Sequence, residues 1–90
     1  LVANQMMDFI KFDDNFAIAR MLPPRDVIGR TIDQCRPRSR HKVNIVGIKP
    51  PGQPFHYAEP ETSIGPEDVI IVSGHVRDLE RFADHSDRKR

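Results

Sequence analysis

A continuous β-branched run limits the possible folds of this chain more than any other feature. Residues 69–72 read Val-Ile-Ile-Val, between a Gly-Pro-Glu-Asp turn at 65–68 and a Ser-Gly pair at 73–74. Consecutive β-branched side chains are stiff and favour extended backbone, and an unbroken apolar run is typical of a strand buried on both faces. The sequence therefore predicts a β-sheet with residues 69–72 as its core strand.

Prolines and glycines divide much of the remaining chain into short segments. Residues 16–22 alternate large and small side chains as a strand does, and the prolines at 23–24 end it because proline cannot donate to a β-ladder. Residues 43–48 predict a further strand, which ends at the Pro-Pro-Gly turn of residues 50–52. Residues 53–58 are predicted as its weak hairpin partner.

Two segments have helical spacing. Within residues 26–35, Ile28, Ile32 and Cys35 recur at i, i+4 and i+7, which predicts a short helix. A second apolar stripe predicts a closing amphipathic helix after residue 75; its members are Val76, Leu79, Phe82 and Ala83. The predicted fold is α+β: a small, mostly antiparallel sheet or pseudo-barrel in the order β-α-β-β-β-α, capped by the C-terminal helix.

The length of 90 residues allows one compact domain. A domain this small buries only about 60% of the surface that its unfolded chain exposes, so a partner chain is expected. We expect the domain to span residues 16–85. Residues 1–15 fit both helical and extended backbone and are interpreted as a linker or dimer arm, and residues 86–90 as a polar tail. Because the chain begins at Leu1 rather than Met, it is expected to be part of a longer protein.

Composition narrows the function classes. The 14 basic and 13 acidic residues give a net charge of +1, so overall charge does not indicate a nucleic-acid partner. The single cysteine excludes an intrachain disulfide framework and suits the cytoplasm. No apolar run approaches the roughly 20 residues that span a bilayer, which argues against direct membrane insertion. The four histidines, at positions 41, 56, 75 and 85, are scattered, and no metal site is predicted.

The sequence also lacks a recognisable catalytic constellation. Cys35 adjoins Arg36, which could lower the pKa of the thiol, but one cysteine at apolar spacing is typical of a core residue. Neither Gly-x-Gly-x-x-Gly nor a P-loop occurs, so a nucleotide-binding Rossmann lobe is absent from this chain. No enzyme activity is predicted.

A basic segment separates the first predicted helix from the strand at 43–48, and its basic side chains are Arg36, Arg38, Arg40, His41 and Lys42. Such a cluster between two hydrophobic anchors can hold a polyanion against a preformed wall. The alternative is a solvated surface. We predict that this segment is the site of function.

Several short motifs follow one another along the chain in a defined order. They are Pro23, Gly29-Arg30-Thr31-Ile32, Arg38, the Val-Asn-Ile-Val-Gly-Ile run at 43–48, Pro60, Thr62, and the run from Gly65 to Gly74. In this order and spacing, the run from Phe16 to Ala83 resembles the TrkA C-terminal domain. That domain is the C-lobe of the regulator-of-potassium-conductance (RCK) proteins, on the cytoplasmic side of potassium channels and transporters. The chain departs from the family pattern at Arg36, Pro37 and Lys42, where the family has an acidic residue, Leu and Gly.

The resemblance implies a homodimer and, as in the Ktr-type branch, a cyclic di-AMP ligand across the dimer two-fold, with no cofactor. By residue, it implies that Ile32 and Ile45 form apolar walls for an adenine and that Arg38 meets a phosphate. Arg36, a departure from the family pattern, would add positive charge. The full predicted ligand-binding set is Ile32, Arg36, Arg38, Val43, Asn44, Ile45 and Pro60. Ile32 and Ile45 would serve equally as plain core residues, and Asn44 as an edge residue that faces water.

Three functions remain open at this stage. The first is a cytoplasmic ligand-sensing module that acts on a membrane potassium channel, transporter or cation antiporter through a larger protein. The second is a small basic domain that binds single-stranded nucleic acid, with Phe55 or Tyr57 stacking on bases. The near-neutral total charge makes it the weaker case. The third is a dimerisation domain without a ligand.

Overall fold

The computed structural model describes residues 6–84 and contains a five-stranded sheet in which every neighbouring pair is antiparallel. The strand order is β1-β2-β5-β3-β4. The strands are β1 (Met6–Lys11), β2 (Phe16–Met21), β3 (Val43–Lys49), β4 (His56–Tyr57) and β5 (Val69–His75), and the helices are α1 (Ile32–Cys35) and α2 (Val76–Asp84). The predicted α+β class with a mostly antiparallel sheet is confirmed. The polar tail at 86–90, His85 and residues 1–5 lie outside the described part.

The β-branched run lies in the middle of the sheet, as its composition predicts. It belongs to β5, which pairs with β2 on one side and β3 on the other. Ile70 and Val72 are fully buried, whereas Val69 and Ile71 are half-buried. The expectation of burial on both faces is therefore wrong in part, since only one face of β5 is covered by α2 and the core.

The covered face of β2 carries two small side chains and, at its end, the large side chain of Met21. Ala17, Ala19 and Met21 are buried in one core cluster with Leu79 and Phe82 of α2. The alternation predicted for residues 16–22 is correct. Its small-residue side faces the core, because alanine lets a helix approach the sheet closely.

The segment at 1–15, interpreted as a linker or dimer arm, contains an edge strand. β1 pairs with β2 through Ile10 and Ile18, and an ion pair of 2.5 Å joins Asp8 to Arg20. Residues 6–11 are therefore part of the sheet. A role of this segment in dimer formation stays a prediction.

The continuous helix predicted for residues 26–35 is wrong. A 3₁₀ turn spans Arg25–Val27, and α1 begins only at Ile32. Between them Gly29 has a φ of +87°, and the backbone here pairs with Ile64: the Gly29 N–H donates to the Ile64 carbonyl at 2.8 Å, and the Ile64 N–H donates to the Arg30 carbonyl at 3.0 Å. These long-range bonds replace the helical bonds that local spacing favours.

Candidate ligand-binding site

A capping box begins α1. The Thr31 hydroxyl oxygen accepts a hydrogen bond from the Gln34 N–H at 3.2 Å, and the Gln34 side-chain oxygen accepts from the Thr31 N–H at 3.0 Å. This pairing satisfies two backbone donors that a helix start leaves open. The helix therefore begins at a defined residue although it is only one turn long.

The loop after β4 docks on the same helix start. The N–H groups of Ile32 and Asp33 donate to the carbonyl oxygens of Thr62 and Pro60, both at 2.9 Å. The Thr62 hydroxyl in turn accepts from the Glu59 N–H at 3.0 Å. Pro60 is thereby held beside α1, although it lies 25 positions after Cys35, the last residue of the helix.

The basic turn, Pro37–His41, follows α1 as a single π-helical turn. Its two flanking residues, Arg36 and Lys42, have left-handed backbone with φ of 50° and 63°. The Lys42 N–H closes the turn on the Pro37 carbonyl, and the Pro37 ring is buried. The basic turn therefore buries Pro37 and leaves the neighbouring Arg36 and Arg38 exposed.

Together these elements enclose a groove of about 390 Å³, which we call the α1 groove. The structure brings six of the seven predicted residues to it, all except Val43. Its lining residues are Ile32, Asp33, Arg36, Pro37, Arg38, Ser39, Asn44, Ile45, Ala58 and Pro60. The groove thus combines apolar walls with two guanidinium groups and one carboxylate.

Burial separates the wall residues. Ile45 is only 4% exposed and belongs to the core, so it offers the groove little surface. Ile32 is half-buried, packs against the core and lines the groove as well. Asn44 is exposed. Val43 is buried and borders a different groove, near the ends of β2 and β5.

The five basic residues do not form one surface. The His41 side chain is 7% exposed, its ring centroid lies 4.9 Å from that of Phe82, and its Nε2 lies 3.6 Å from an Asp26 carboxylate oxygen. It therefore packs inward. Arg40 is exposed and borders neither the α1 groove nor the groove beside Val43. A single polyanion-binding face made of all five side chains is not what the structure shows.

Sequence reasoning missed four lining residues: Asp33, Pro37, Ser39 and Ala58. Each lies within two positions of a predicted residue. Their closeness in sequence to the predicted site residues was the one signal that could have identified them. No local pattern distinguished them, because the groove forms only when α1, the basic turn, β3 and the loop at 58–64 come together.

Comparison with known proteins places this architecture in a family. The profile of the TrkA-C domain matches residues 16–86. The chain belongs to the TrkA-C domain family. The resemblance drawn from the motifs is thereby confirmed, and the matched range begins at the residue where β2 begins.

Two relatives from Bacillus subtilis (strain 168) are similar to this TrkA-C domain. Ktr system potassium uptake protein A is 26% identical over 77 residues, covering 86% of this chain and 35% of that protein. Ktr system potassium uptake protein C is 26% identical over 82 residues, covering 91% and 37%. This TrkA-C domain therefore spans about a third of the length of these relatives.

The fold is also similar to a solved structure. The crystal structure of the GsuK RCK domain aligns with a TM-score of 0.61 and 20% identity, covering 88% of this chain and 19% of that one. This likeness concerns the fold. The expected RCK-like architecture is confirmed.

The cysteine of this TrkA-C domain is a core residue. The Cys35 side chain is buried, and its thiol contacts the Val27 carbonyl at 3.8 Å. Burial raises the pKa of the thiol above its usual 9.0, and the Asp26 charge adds to this, against opposing effects of Arg30 and Arg40. Arg36 is not among the charges that oppose this rise, and the core position that the apolar spacing predicts is confirmed.

Other site types find no support in the described residues. Within 6–84, no group of three or more His, Cys, Asp and Glu side chains converges as a metal site would require. No helix in the same range has the length and apolar character needed to cross a membrane.

Proposed function

We propose that this TrkA-C domain is a ligand-sensing lobe of a protein that regulates a potassium, or other monovalent cation, channel, transporter or antiporter. Family membership and similarity to two potassium uptake proteins support this role. The domain spans about a third of those proteins. In this proposal, contact with the membrane protein, on its cytoplasmic side, is made through a larger protein that contains this domain.

The proposed ligand is cyclic di-AMP, bound between two copies of the domain. The observation that carries this proposal is the convergence of Ile32, Arg36, Arg38, Asn44, Ile45 and Pro60 on the α1 groove. Residues predicted from the sequence as a ligand-binding set line one cavity, although they come from four separate segments of the chain. Mere surface charge does not require such a convergence.

The chemistry of the groove suits half of such a ligand. Arg38 and Arg36 supply donors for a phosphate, and guanidinium groups bind phosphate oxygens in a bidentate manner. Ile32 and Pro60 offer an apolar surface to an adenine ring. The Asp33 carboxylate, which the motif did not imply, can accept a hydrogen bond from the adenine amino group.

Symmetry explains why two copies are needed. Cyclic di-AMP has two equivalent nucleotides related by a two-fold axis, and an isologous dimer presents the same surface twice about such an axis. Two α1 grooves that face each other would each take one nucleotide. The ligand then favours one dimer arrangement over another, and that population shift reaches the transporter through the attached domains.

Calorimetry with matched variants tests the proposal. We expect the 90-residue chain to bind one cyclic di-AMP per two chains with a dissociation constant of about 1 µM or tighter, and sedimentation to show a dimer of the complex. Arg38→Gln should weaken binding about tenfold or more because a charge-assisted phosphate contact is lost. Arg40→Gln removes the same charge from the same turn outside the groove and should change affinity by less than about twofold.

Three outcomes would contradict the proposal that cyclic di-AMP binds in the α1 groove. A dimer that takes up no cyclic di-AMP would indicate a ligand-free dimerisation domain. Equal losses for Arg38→Gln and Arg40→Gln would indicate general electrostatics rather than the α1 groove. Tight binding of a single-stranded oligonucleotide, with affinity that falls steeply with salt, would favour the nucleic-acid alternative.

A further inference from the structure

A second groove lies where β2, β3 and β5 meet, on the far side of Arg38 from the α1 groove. This strand-end groove also has a volume of about 390 Å³. Arg38 and Asn44 border both grooves and form the wall between them. The lining residues are Phe16, Arg38, Lys42, Val43, Asn44, Ser73, Gly74 and His75.

The sheet register explains why these residues meet. Phe16 pairs with His75 across β2 and β5, and Asn44 pairs with Ser73 across β3 and β5. Both pairs lie on the sheet face opposite the core, because the intervening row of Ala17, Gly74 and Val43 is buried. The strand-end groove is therefore built on regular, paired backbone.

Glycine at position 74 brings Lys42 to this site. A Cβ atom there would lie 3.3 Å from both the Lys42 carbonyl oxygen and a methyl group of Val43. A larger residue would require the Lys42 carbonyl or the Val43 methyl group to shift by a few tenths of an ångström. Without a side chain at 74, Lys42 lies against the strand ends.

The groove has an uncompensated positive charge. Arg38 and Lys42 border it, and among residues 6–84 no carboxylate does, whereas Asp33 borders the α1 groove. Within the described part of the chain, the side chains of Arg38, Lys42, Asn44 and Ser73 form no hydrogen bond or ion pair. Two cations, an amide and a hydroxyl thus converge with unused donors.

An acid within electrostatic range of His75, Asp13, is engaged elsewhere. The Asp13 carboxylate accepts hydrogen bonds of 2.8 Å from the N–H groups of Asn15 and Phe16. These bonds lower the pKa of Asp13, with smaller contributions from the His75 and Lys11 charges and a small opposing effect of burial. Asp13 therefore stays ionised at the β1–β2 turn and does not line the groove.

One wall of the groove is aromatic. The rings of Phe16 and His75 meet edge to face at 5.9 Å, and Phe16 is 39% exposed. An exposed ring next to cationic donors suits a ligand that has both a planar base and a phosphate. The volume lies at the lower end of the roughly 300–1,000 Å³ that small-molecule sites occupy, which suits a mononucleotide.

We propose that the strand-end groove is a second, separate binding site, for a nucleoside monophosphate. The phosphate lies between Lys42 and Arg38, with the Ser73 hydroxyl and the Asn44 amide as further donors, and the base packs on Phe16. This inference does not depend on the proposed function of the α1 groove. Because Arg38 serves both grooves, the variants that separate the two sites are those of Lys42 and Ser73.

Nuclear magnetic resonance titration of the 90-residue chain with AMP tests this site. We expect amide shifts at residues 42–44 and 73–75 and a dissociation constant of about 1 mM or tighter. Lys42→Asn should weaken AMP binding about tenfold, and asparagine tolerates the left-handed backbone at this position, so the fold is kept. Arg40→Gln should leave AMP affinity within about twofold, and Ser73→Ala should reduce it about threefold or more.

Several results would overturn the inference. They are the absence of shifts with 10 mM AMP, shifts confined to residues 32–36 and 58–60 of the α1 groove, or equal affinity of Lys42→Asn and the unchanged chain. Equal binding of inorganic phosphate and AMP would remove the role of the aromatic wall. Retention of cyclic di-AMP binding by Lys42→Asn would separate this site from the α1 groove, so either proposal can fail alone.

Discussion

The backbone N–H of Asp33 donates a hydrogen bond to the carbonyl oxygen of Pro60 at 2.9 Å. This contact holds the loop at 58–64 against the first turn of α1. Pro60 and Ile32 border one groove because of it. The candidate site therefore depends on the stability of a helix of only four residues.

The capping box of α1 should contribute measurably to stability. Thr31→Ala removes the hydroxyl that accepts from the Gln34 N–H, and we expect a loss of about 1 kcal/mol in the free energy of unfolding, measured by urea denaturation. Thr31→Ser keeps the hydroxyl and should recover most of that loss. Identical midpoints for the alanine variant and the unchanged chain would show that the cap does not stabilise α1.

Gly29 should be needed for its backbone conformation rather than for space. Its φ is +87°, and a Cβ atom built there has no neighbour within 4 Å. We expect Gly29→Ala to cost about 1–2 kcal/mol in unfolding free energy from strain alone. Gly29→Asn should cost less, because asparagine adopts positive φ more readily. An alanine variant as stable as the unchanged chain would contradict this account.

The core face of α2 should dominate its contribution to stability. Leu79 is fully buried, and its neighbour Glu80 is exposed. Leu79→Ala should lower the unfolding free energy by about 2–5 kcal/mol, whereas Glu80→Ala should change it by no more than about 0.5 kcal/mol. Thermal and urea unfolding of both variants check this. Comparable effects at the two positions would place α2 differently on the sheet.

The buried thiol predicts a loss of stability in base. Since the folded state raises the pKa of Cys35 above 9.0, it holds this proton more tightly than the unfolded chain. The stability that this provides is complete below pH 9.0 and falls as the pH rises through the raised pKa. We expect urea midpoints to decrease between pH 8 and pH 10 more in the unchanged chain than in Cys35→Ala. Parallel decreases would assign the effect to other groups.

Local patterns were sufficient for several elements. The β-branched run at 69–72, the strand at 43–48 and the apolar stripe of the last helix each depend on neighbours within a few residues, and each occurs as predicted. The edge strand β1 was left open between helix and strand, because its pattern fits both periods. Pairing with β2 decides it.

In the α1 groove, too, local sequence predicted some features and tertiary packing decided others. Its motif residues were predicted from the sequence, but the exclusion of Val43 and the inward position of His41 were not. Val43 is excluded because it lies at the end of β3 that pairs with Gly74, beside the other groove. His41 lies inward because its ring contacts that of Phe82 in α2. The residues of the strand-end groove carry no common motif and are joined by sheet register alone.

The amino-acid sequence by itself thus determined the α+β fold class, the family and most of the strands of this protein. These features depend on short-range periodicity and on turn residues, which act within a few positions of the chain. Only the tertiary structure decided where the helix at 26–35 breaks and which basic residues share a groove. Those outcomes depend on hydrogen bonds and packing between segments that lie 20 to 60 residues apart, and no local pattern encodes such distances.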